Sequence, residues 1–257
     1  MIEMQTTLER VEPEQDGQRA ERARVDPELA SFSYSVAHDL RAPLRAIDGF
    51  SRILLEEHAD QLDEEGRRLL GIVVDNVARM GALLDGVLAF SRVARAPLVL
   101  HDVDMDQLVR SVVDELLESG FHARVDLVIE PLGAIRCDPV TMRQVWMNLC
   151  QNALKFSRDR PVPRIHINRR SRAHEVVYSI SDNGAGFDPA AGSKLFGVFQ
   201  RLHPEAAFEG IGIGLALVER IVDRHGGRVW AEGQVDQGAT FFFTLLRDDG
   251  STPGQRT

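Results

Sequence analysis

The sequence predicts two modules of different class in one chain: an all-α helical hairpin that forms a dimeric four-helix bundle, followed by an α+β two-layer sandwich. Three observations predict it. Apolar residues recur three and four apart over two successive stretches, each about 30 residues long, which is the period of one helix face. The stretch "ARAPLVLHD" at 94–102 then breaks that period. Beyond it, helical stripes alternate with short β-branched runs bounded by turn residues.

Residues 1–25 are polar with mixed charge and are expected to form a disordered lead-in. Asp26 is placed as an N-cap with Pro27 at the first helical position, where a missing N–H costs nothing. Leu29, Phe32, Val36, Leu40, Leu44, Ile47 and Leu54 then form one stripe of a helix running to about His58. After "HADQLDEEG", whose Asp63, Glu64 and Glu65 suit a helix N-terminus, a heptad seam follows at Leu69, Val73, Asn76, Met80, Leu83, Val87 and Phe90. Two helices of about 45 Å each make an antiparallel hairpin. One hairpin cannot cover both stripes, so a homodimer is expected.

Residues 26–95 are therefore read as the hairpin domain, 96–103 as a linker, and 104–247 as the α/β module. Within the last, helices are expected near 104–118, from Asp138-Pro139 to about 157, and near 213–225 before Gly226 as a C′ glycine. Strands are expected near 124–130, 163–169, 174–181, 228–232 and 239–246, giving helices on one face of a largely antiparallel sheet. No internal repeat is visible, and residues 248–257 read as a disordered tail.

Composition bounds the function. At 257 residues and 44% hydrophobic content the chain can bury substantial cores. No apolar run approaches the roughly 20 residues of a membrane span, and the start "MIEMQTTLER" lacks signal-peptide character, so a cytoplasmic location is expected. Cys137 and Cys150 form no CxxC pair, which argues against a disulfide framework or structural zinc. A net charge of −9 argues against nucleic acid as a partner.

"NLCQNALKF" sets Asn148, Asn152 and Lys155 on nearly one helix face, a set that suits a magnesium-bound polyphosphate; alone, such a face is more often merely solvated. "SDNGAGF" follows a strand and carries Asp182, Gly184 and Gly186: a carboxylate able to accept an exocyclic amine beside glycines that allow close backbone approach. In isolation it reads as an ordinary turn. "GIGIGLAL" supplies Gly210, Gly212 and Gly214 before an apolar helix, whose N-terminal N–H groups attract phosphate. Neither a Rossmann fingerprint nor a P-loop is present.

The ordered series is more specific than its parts. An Asn/Asn/Lys helix, DxGxG, the phenylalanine-flanked "LFGVFQ", GxGxG opening a helix, and "GATF" together resemble the Bergerat ATP-binding fold, shared with gyrase, chaperone and mismatch-repair ATPases. Preceded by "HDLRAP" on a hairpin, the series resembles a sensor histidine kinase over residues 28–246, closest in wording to phytochrome-type and PAS-linked bacterial kinases.

That resemblance implies that His38 accepts the γ-phosphoryl group of ATP, with Asp39 orienting its imidazole. The periodicity separately sets His38 off the apolar seam, roughly 200° round the helix from Val36 and from Leu40. Pro43, which offers no N–H to the carbonyl of Asp39, is expected to loosen the helix there. The resemblance further implies Asn152 as the chief Mg²⁺ ligand, Asn148 beside the phosphates, Lys155 as a phosphate contact and Phe156 lining the adenine pocket. Asp182 would hold adenine N6 with Thr240 supporting it through a water. Gly184, Gly186, Gly210, Gly212 and Gly214 would shape the pocket and a flexible lid around 190–212.

Two departures stand out. Ile211 replaces the usual threonine of the GxGxG box, removing a hydroxyl near the phosphates, and Ala42 stands where a Thr or Asn often orients the water of the phosphatase reaction. Weak phosphatase activity is expected. Hydrolytic relatives carry a glutamate at the position of Asn148, and an amide cannot take a proton from water, so an ATP-driven clamp is the weaker alternative. A degenerate kinase kept as a dimeric scaffold is the other, with Ile211 its one hint. The implied partners are a second copy, a response-regulator receiver domain, and an upstream sensory domain or protein. No PAS, GAF or transmembrane sensor is read ahead of the hairpin, so a fragment of a longer sensor or a kinase with input from another protein is expected.

Overall fold

The computed structural model describes residues 27–118, 125–198, 200 and 212–247, with side chains from Asp39 onward apart from residues 94, 95 and 193. The expected lead-in with Asp26, the tail at 248–257, Gly210, Ile211, most of the proposed lid, and the side chains of Leu29, Phe32, Val36 and His38 lie outside the described residues.

Helix α1 (Pro27–Glu57) and helix α2 (Glu64–Arg95) form the hairpin around a 3₁₀ turn at Ala59–Gln61. Asp63 caps α2 by accepting from the Gly66 N–H at 2.7 Å, with Glu64 and Glu65 completing an acidic first turn against the helix dipole. α1 continues through Pro43 as one helix. Among the described residues, Leu44, Ser51, Val77, Leu88, Ser91 and Val93 are the buried hairpin side chains. Much of the stripe read from the sequence is not among them: Leu40, Ile47 and Leu54 on α1 and Leu69, Val73 and Met80 on α2 remain exposed, beside Phe50, Ile53 and Ile72.

The α/β module begins earlier than expected. Strand β1 (His101–Asp104) lies in the stretch read as a linker and pairs antiparallel with β3 (Ala134–Cys137), a strand the periodicity missed. Helix α3 (Met105–Glu118) lies between them in sequence, with strand β2 (Asp126–Ile129). Next come helix α4 (Pro139–Ser157), strands β4 (Arg164–Ser171) and β5 (Glu175–Asp182), a 3₁₀ turn at Pro189–Lys194, helix α5 (Gly214–Arg224), and strands β6 (Val229–Gln234) and β7 (Gly238–Leu246). The main sheet has the order β2-β4-β5-β7-β6. All neighbours are antiparallel except β2 and β4.

Strand parity decides what each sheet face carries. Val176, Tyr178 and Ile180 of β5 lie opposite Leu245, Phe243 and Phe241 of β7, and all six belong to one core with the buried residues of α3, α4 and α5. Trp146 of α4 sets its edge on Tyr178 and Phe243, with centroids 6.0 and 5.2 Å away. The other face carries Ser179 bonded to Asn168, Ser181 bonded to Thr240, and the stacked pair Trp230 and Phe242.

Helix α5 also joins the modules. Arg224 donates to the carbonyls of Val93 and Ala96 at 2.5 Å each, covering backbone acceptors at the C-terminal end of α2. Near the other end of α5, Ile213 packs on Gly86, where a Cβ would stand 2.6 Å from its Cδ1. His225 closes α5 by accepting from the Asp138 N–H at 3.1 Å, and its other ring nitrogen lies 2.8 Å from the Ile221 carbonyl.

Candidate functional site

Asp138 caps α4, accepting from the Thr141 N–H at 2.9 Å, and Pro139 occupies the first turn. The helix buries Val145, Trp146, Leu149, Cys150, Ala153 and Leu154 in the core, which leaves Asn148, Asn152, Lys155 and Phe156 half-buried along its flank. The Asn148 amide donates to the Gln144 carbonyl at 2.8 Å, which fixes its orientation. Its Oδ1 lies only 2.6 Å from where a Cβ would stand on Gly214. The structure therefore brings the Asn-bearing face of α4 against the first residue of α5. Gly212, two residues earlier, has φ 75°, a conformation suited to glycine. The Lys155 ammonium sits 4.1 Å from the centre of the Phe156 ring.

The DxGxG loop closes the site from the sheet. Asp182, the last residue of β5, accepts from the Gly184 N–H at 2.8 Å. A Cβ on Gly184 would meet the Phe156 carbonyl at 2.4 Å, and one on Gly186, with φ 61°, would meet the Gln234 carbonyl at 1.9 Å. Both glycines are thus required by close approach: the loop lies on the C-terminal turn of α4 on one side and on β6 on the other. Burial pushes the Asp182 carboxyl up to about 6, against the N–H groups of Gly184 and Ala239 and the charge of Arg160, which favour its ionised form.

One assignment needs correcting. Thr240 was expected to support Asp182, but in the register of β5 and β7 Asp182 lies opposite Ala239 and Thr240 lies opposite Ser181. The Thr240 and Ser181 hydroxyls are 2.9 Å apart on the sheet face away from the helices. A one-residue step along a strand reverses the face, so Thr240 points away from Asp182. A residue the sequence reasoning missed is Arg160, whose Nη2 donates to the carbonyls of Gly184 at 2.8 Å and Asp236 at 2.7 Å.

His38 and Asp39 belong to α1, in the other module, and Asp39 is exposed. Among the described residues no cluster of His, Cys, Asp or Glu could hold a metal, so the oxygen donors at the α4 site are the amides of Asn148 and Asn152. No helix of the described residues is long and apolar enough to cross a membrane.

Comparison with known proteins gives two family matches. Residues 28–95 match the His Kinase A (phospho-acceptor) domain, and residues 137–249 match the Histidine kinase-, DNA gyrase B-, and HSP90-like ATPase. The chain is 32% identical over 222 residues to Cyanobacterial phytochrome A of Nostoc sp. (strain PCC 7120 / SAG 25.82 / UTEX 2576), covering 86% of this chain and 29% of that protein. It is 35% identical over 223 residues to the Methanogenesis regulatory histidine kinase FilI of Methanothrix harundinacea (strain 6Ac), covering 85% and 24%. The chain thus spans less than a third of the length of either relative. Among solved structures, full-length ShkA in complex with AMPPNP aligns with a TM-score of 0.63 at 27% identity, over 87% of this chain and 46% of that one. A hairpin matching the phosphoacceptor domain, followed by an α/β sandwich matching the kinase-type ATPase, identifies the chain as a member of the sensor histidine kinases, carrying their catalytic core.

Proposed function

We propose that the chain is a two-component kinase core that phosphorylates His38 from Mg-ATP and passes the phosphoryl group to an aspartate of a response regulator. The observation that supports this reading is that one helix meets both glycine motifs: Asn148 of α4 lies against Gly214, and the Phe156 carbonyl of α4 lies against Gly184 of the Asp182 loop. Asp182 would accept the adenine amine, Phe156 would line the base, and Asn148, Asn152 and the N–H groups opening α5 would face the polyphosphate. Lys155, seated on the Phe156 ring, would bring its charge to the same ligand. Asn152 would be the main protein ligand of Mg²⁺, which supplies charge neutralisation on the phosphates when bound.

The transfer balances simply. The lone pair of the unprotonated His38 ring nitrogen forms the N–P bond as the bond from the γ-phosphorus to the bridging oxygen breaks and ADP leaves. The proton on the other ring nitrogen is shared with an acceptor, the role proposed for Asp39. Asn148 offers no base to activate water, which favours transfer over hydrolysis.

The exposed apolar stripe of the hairpin supports homodimerisation of residues 26–95. The relatives are a cyanobacterial phytochrome and a methanogenesis regulatory histidine kinase, and this chain spans less than a third of either, which supports input from a region or partner beyond these residues. The location proposed is cytoplasmic, and phosphatase activity is proposed to be weak because Ala42 cannot orient water. The test is incubation with Mg-ATP labelled at the γ-phosphate. Acid-labile, base-stable label on the protein, absent in His38→Gln, is the expected result; nucleotide binding without any label at His38 would overturn the kinase reading.

A further inference from the structure

We propose that Arg160 is a positioning residue for adenine recognition: its guanidinium ties the Asp182–Gly186 loop to the β6–β7 turn and thereby holds the Asp182 carboxylate in register with the nucleotide. This inference rests on the reading of the site as a nucleotide site.

The geometry is a bridge between two backbone segments distant in sequence. A single nitrogen, Nη2, donates to the Gly184 carbonyl at 2.8 Å and to the Asp236 carbonyl at 2.7 Å. Both acceptors belong to segments under conformational demand. Gly184 sits between the Phe156 carbonyl and the Asp182 carboxylate with no room for a side chain. Asp236 is the one non-glycine residue with positive φ among the described residues, at 63°, and its N–H donates to the Ala185 carbonyl at 2.7 Å. The loop and the turn therefore hold each other, and Arg160 closes the arrangement from outside the sheet. The Arg160 guanidinium also lies 3.8 Å from the Asp236 carboxylate. A charge-assisted donor is well suited to this task, because it satisfies two carbonyls that would otherwise compete for water beside the base.

The bridge has an electrostatic arm. Arg160 is the charged group that favours the ionised form of Asp182, against the burial that opposes it. Among the described residues, Asp126, Arg164 and His166 are the charged or titratable side chains that line, with Asp182 and Asn183, a shallow cavity of about 270 Å³ at that strand end. Arg164 lies 3.8 Å from Asp126, and His166 lies 2.7 Å from Glu130, so both face carboxylates of their own.

The test uses the full chain, ADP with magnesium as ligand, GDP as the competitor base, and two substitutions. Arg160→Gln removes the charge and shortens the reach of the donor while leaving an NH2 group; Arg160→Lys keeps the charge but not the planar guanidinium. We expect Arg160→Gln to weaken ADP about tenfold and GDP much less, collapsing adenine preference, the size of one lost charge-assisted hydrogen bond. The pH at which ADP binding is half lost should move upward in Arg160→Gln and stay in place in Arg160→Lys. A general loss of structure would instead lower both affinities together and drop the melting temperature. Adenine preference and pH midpoint unchanged in folded Arg160→Gln would overturn the proposal. Wild-type protein that fails to bind ADP at all would overturn the nucleotide reading itself, a distinct outcome.

Discussion

The Oδ1 of Asn148 stands 2.6 Å from the point where Gly214 would carry a Cβ, so the amide fills the space that a side chain at the start of α5 would need. This contact links a helix-borne amide to the glycine box without any intervening atom. Substituting Gly214→Ala therefore sets two effects against each other. Alanine favours the helix by about 1 kcal/mol relative to glycine, so the fold should not suffer. The displaced group is the Asn148 amide, which would have to leave its bond to the Gln144 carbonyl. The expected result is a melting temperature at or above that of the wild type with nucleotide affinity lowered at least about tenfold. Calorimetric titration with ADP and a thermal melt separate the two, and unchanged affinity would remove Asn148 from the site.

Asp182 gives a pH signature of opposite sign for binding and for stability. Its carboxyl rises from 3.8 to about 6 on folding because of burial, so between those values the folded chain holds the proton more firmly than the unfolded chain. Stability of the unliganded protein should fall as pH rises across that window, while ADP affinity should rise through about 6 as the carboxylate forms. Asp182→Asn should accordingly bind ADP poorly yet melt higher at neutral pH, by roughly 2 kcal/mol of stability. A flat ADP affinity from pH 5 to 7.5, or a less stable Asp182→Asn, would contradict this.

His225 predicts the reverse trend. To accept from the Asp138 N–H its ring must be neutral, and burial lowers its affinity for the proton below the ordinary histidine value. The folded chain then binds fewer protons than the unfolded one below about pH 6.5, so this stabilisation is full above that value and is lost as pH falls. Because the bond joins α5 to the cap of α4, acid should loosen the α/β module first. Comparing melts at pH 7.5 and 5, the drop should be smaller in His225→Gln, which accepts the same bond without titrating; an equal drop would place the acid-labile group elsewhere.

The elements that carry their own punctuation were readable from the sequence, and the others were not. α4 announces itself by Asp138 and Pro139 at its start, and its observed bounds match the expected ones. β1 and β3 are four residues each, and "HDVD" has one apolar side chain, so neither has the period or length that marks a strand. Thr240 was misassigned because a motif places a residue along the chain but not on a face; only the pairing of Asp182 with Ala239 supplies the parity. Arg160 left no signal at all, since its acceptors are backbone carbonyls 24 and 76 residues away, and any residue type can supply a carbonyl. The hairpin stripe was legible residue by residue, yet its partner was not, because within one chain much of it faces nothing.

That open stripe makes the assembly testable. Ile47 and Leu54 on α1, and Leu69, Ile72 and Met80 on α2, remain exposed although each repeats at helical spacing, while Leu44, Val77 and Leu88 are buried. Covering one such side chain stabilises by about 1–2 kcal/mol, so several in register outweigh the cost of ordering a second hairpin against the first. A glutamate at Ile72 would place a charge in that seam in both copies, opposite like charge, whereas one at Val140, 77% exposed on the α/β module, would meet only water. Sedimentation should therefore find dimers for the wild type and for Val140→Glu, and monomers for Ile72→Glu. Loss of the dimer should leave ADP binding intact, because every residue assigned to the nucleotide lies in α4, α5, β5 and their loops. A wild type that stays monomeric at high micromolar concentration, or an Ile72→Glu variant that still dimerises, would mean that the stripe is covered by something other than a second copy of this hairpin.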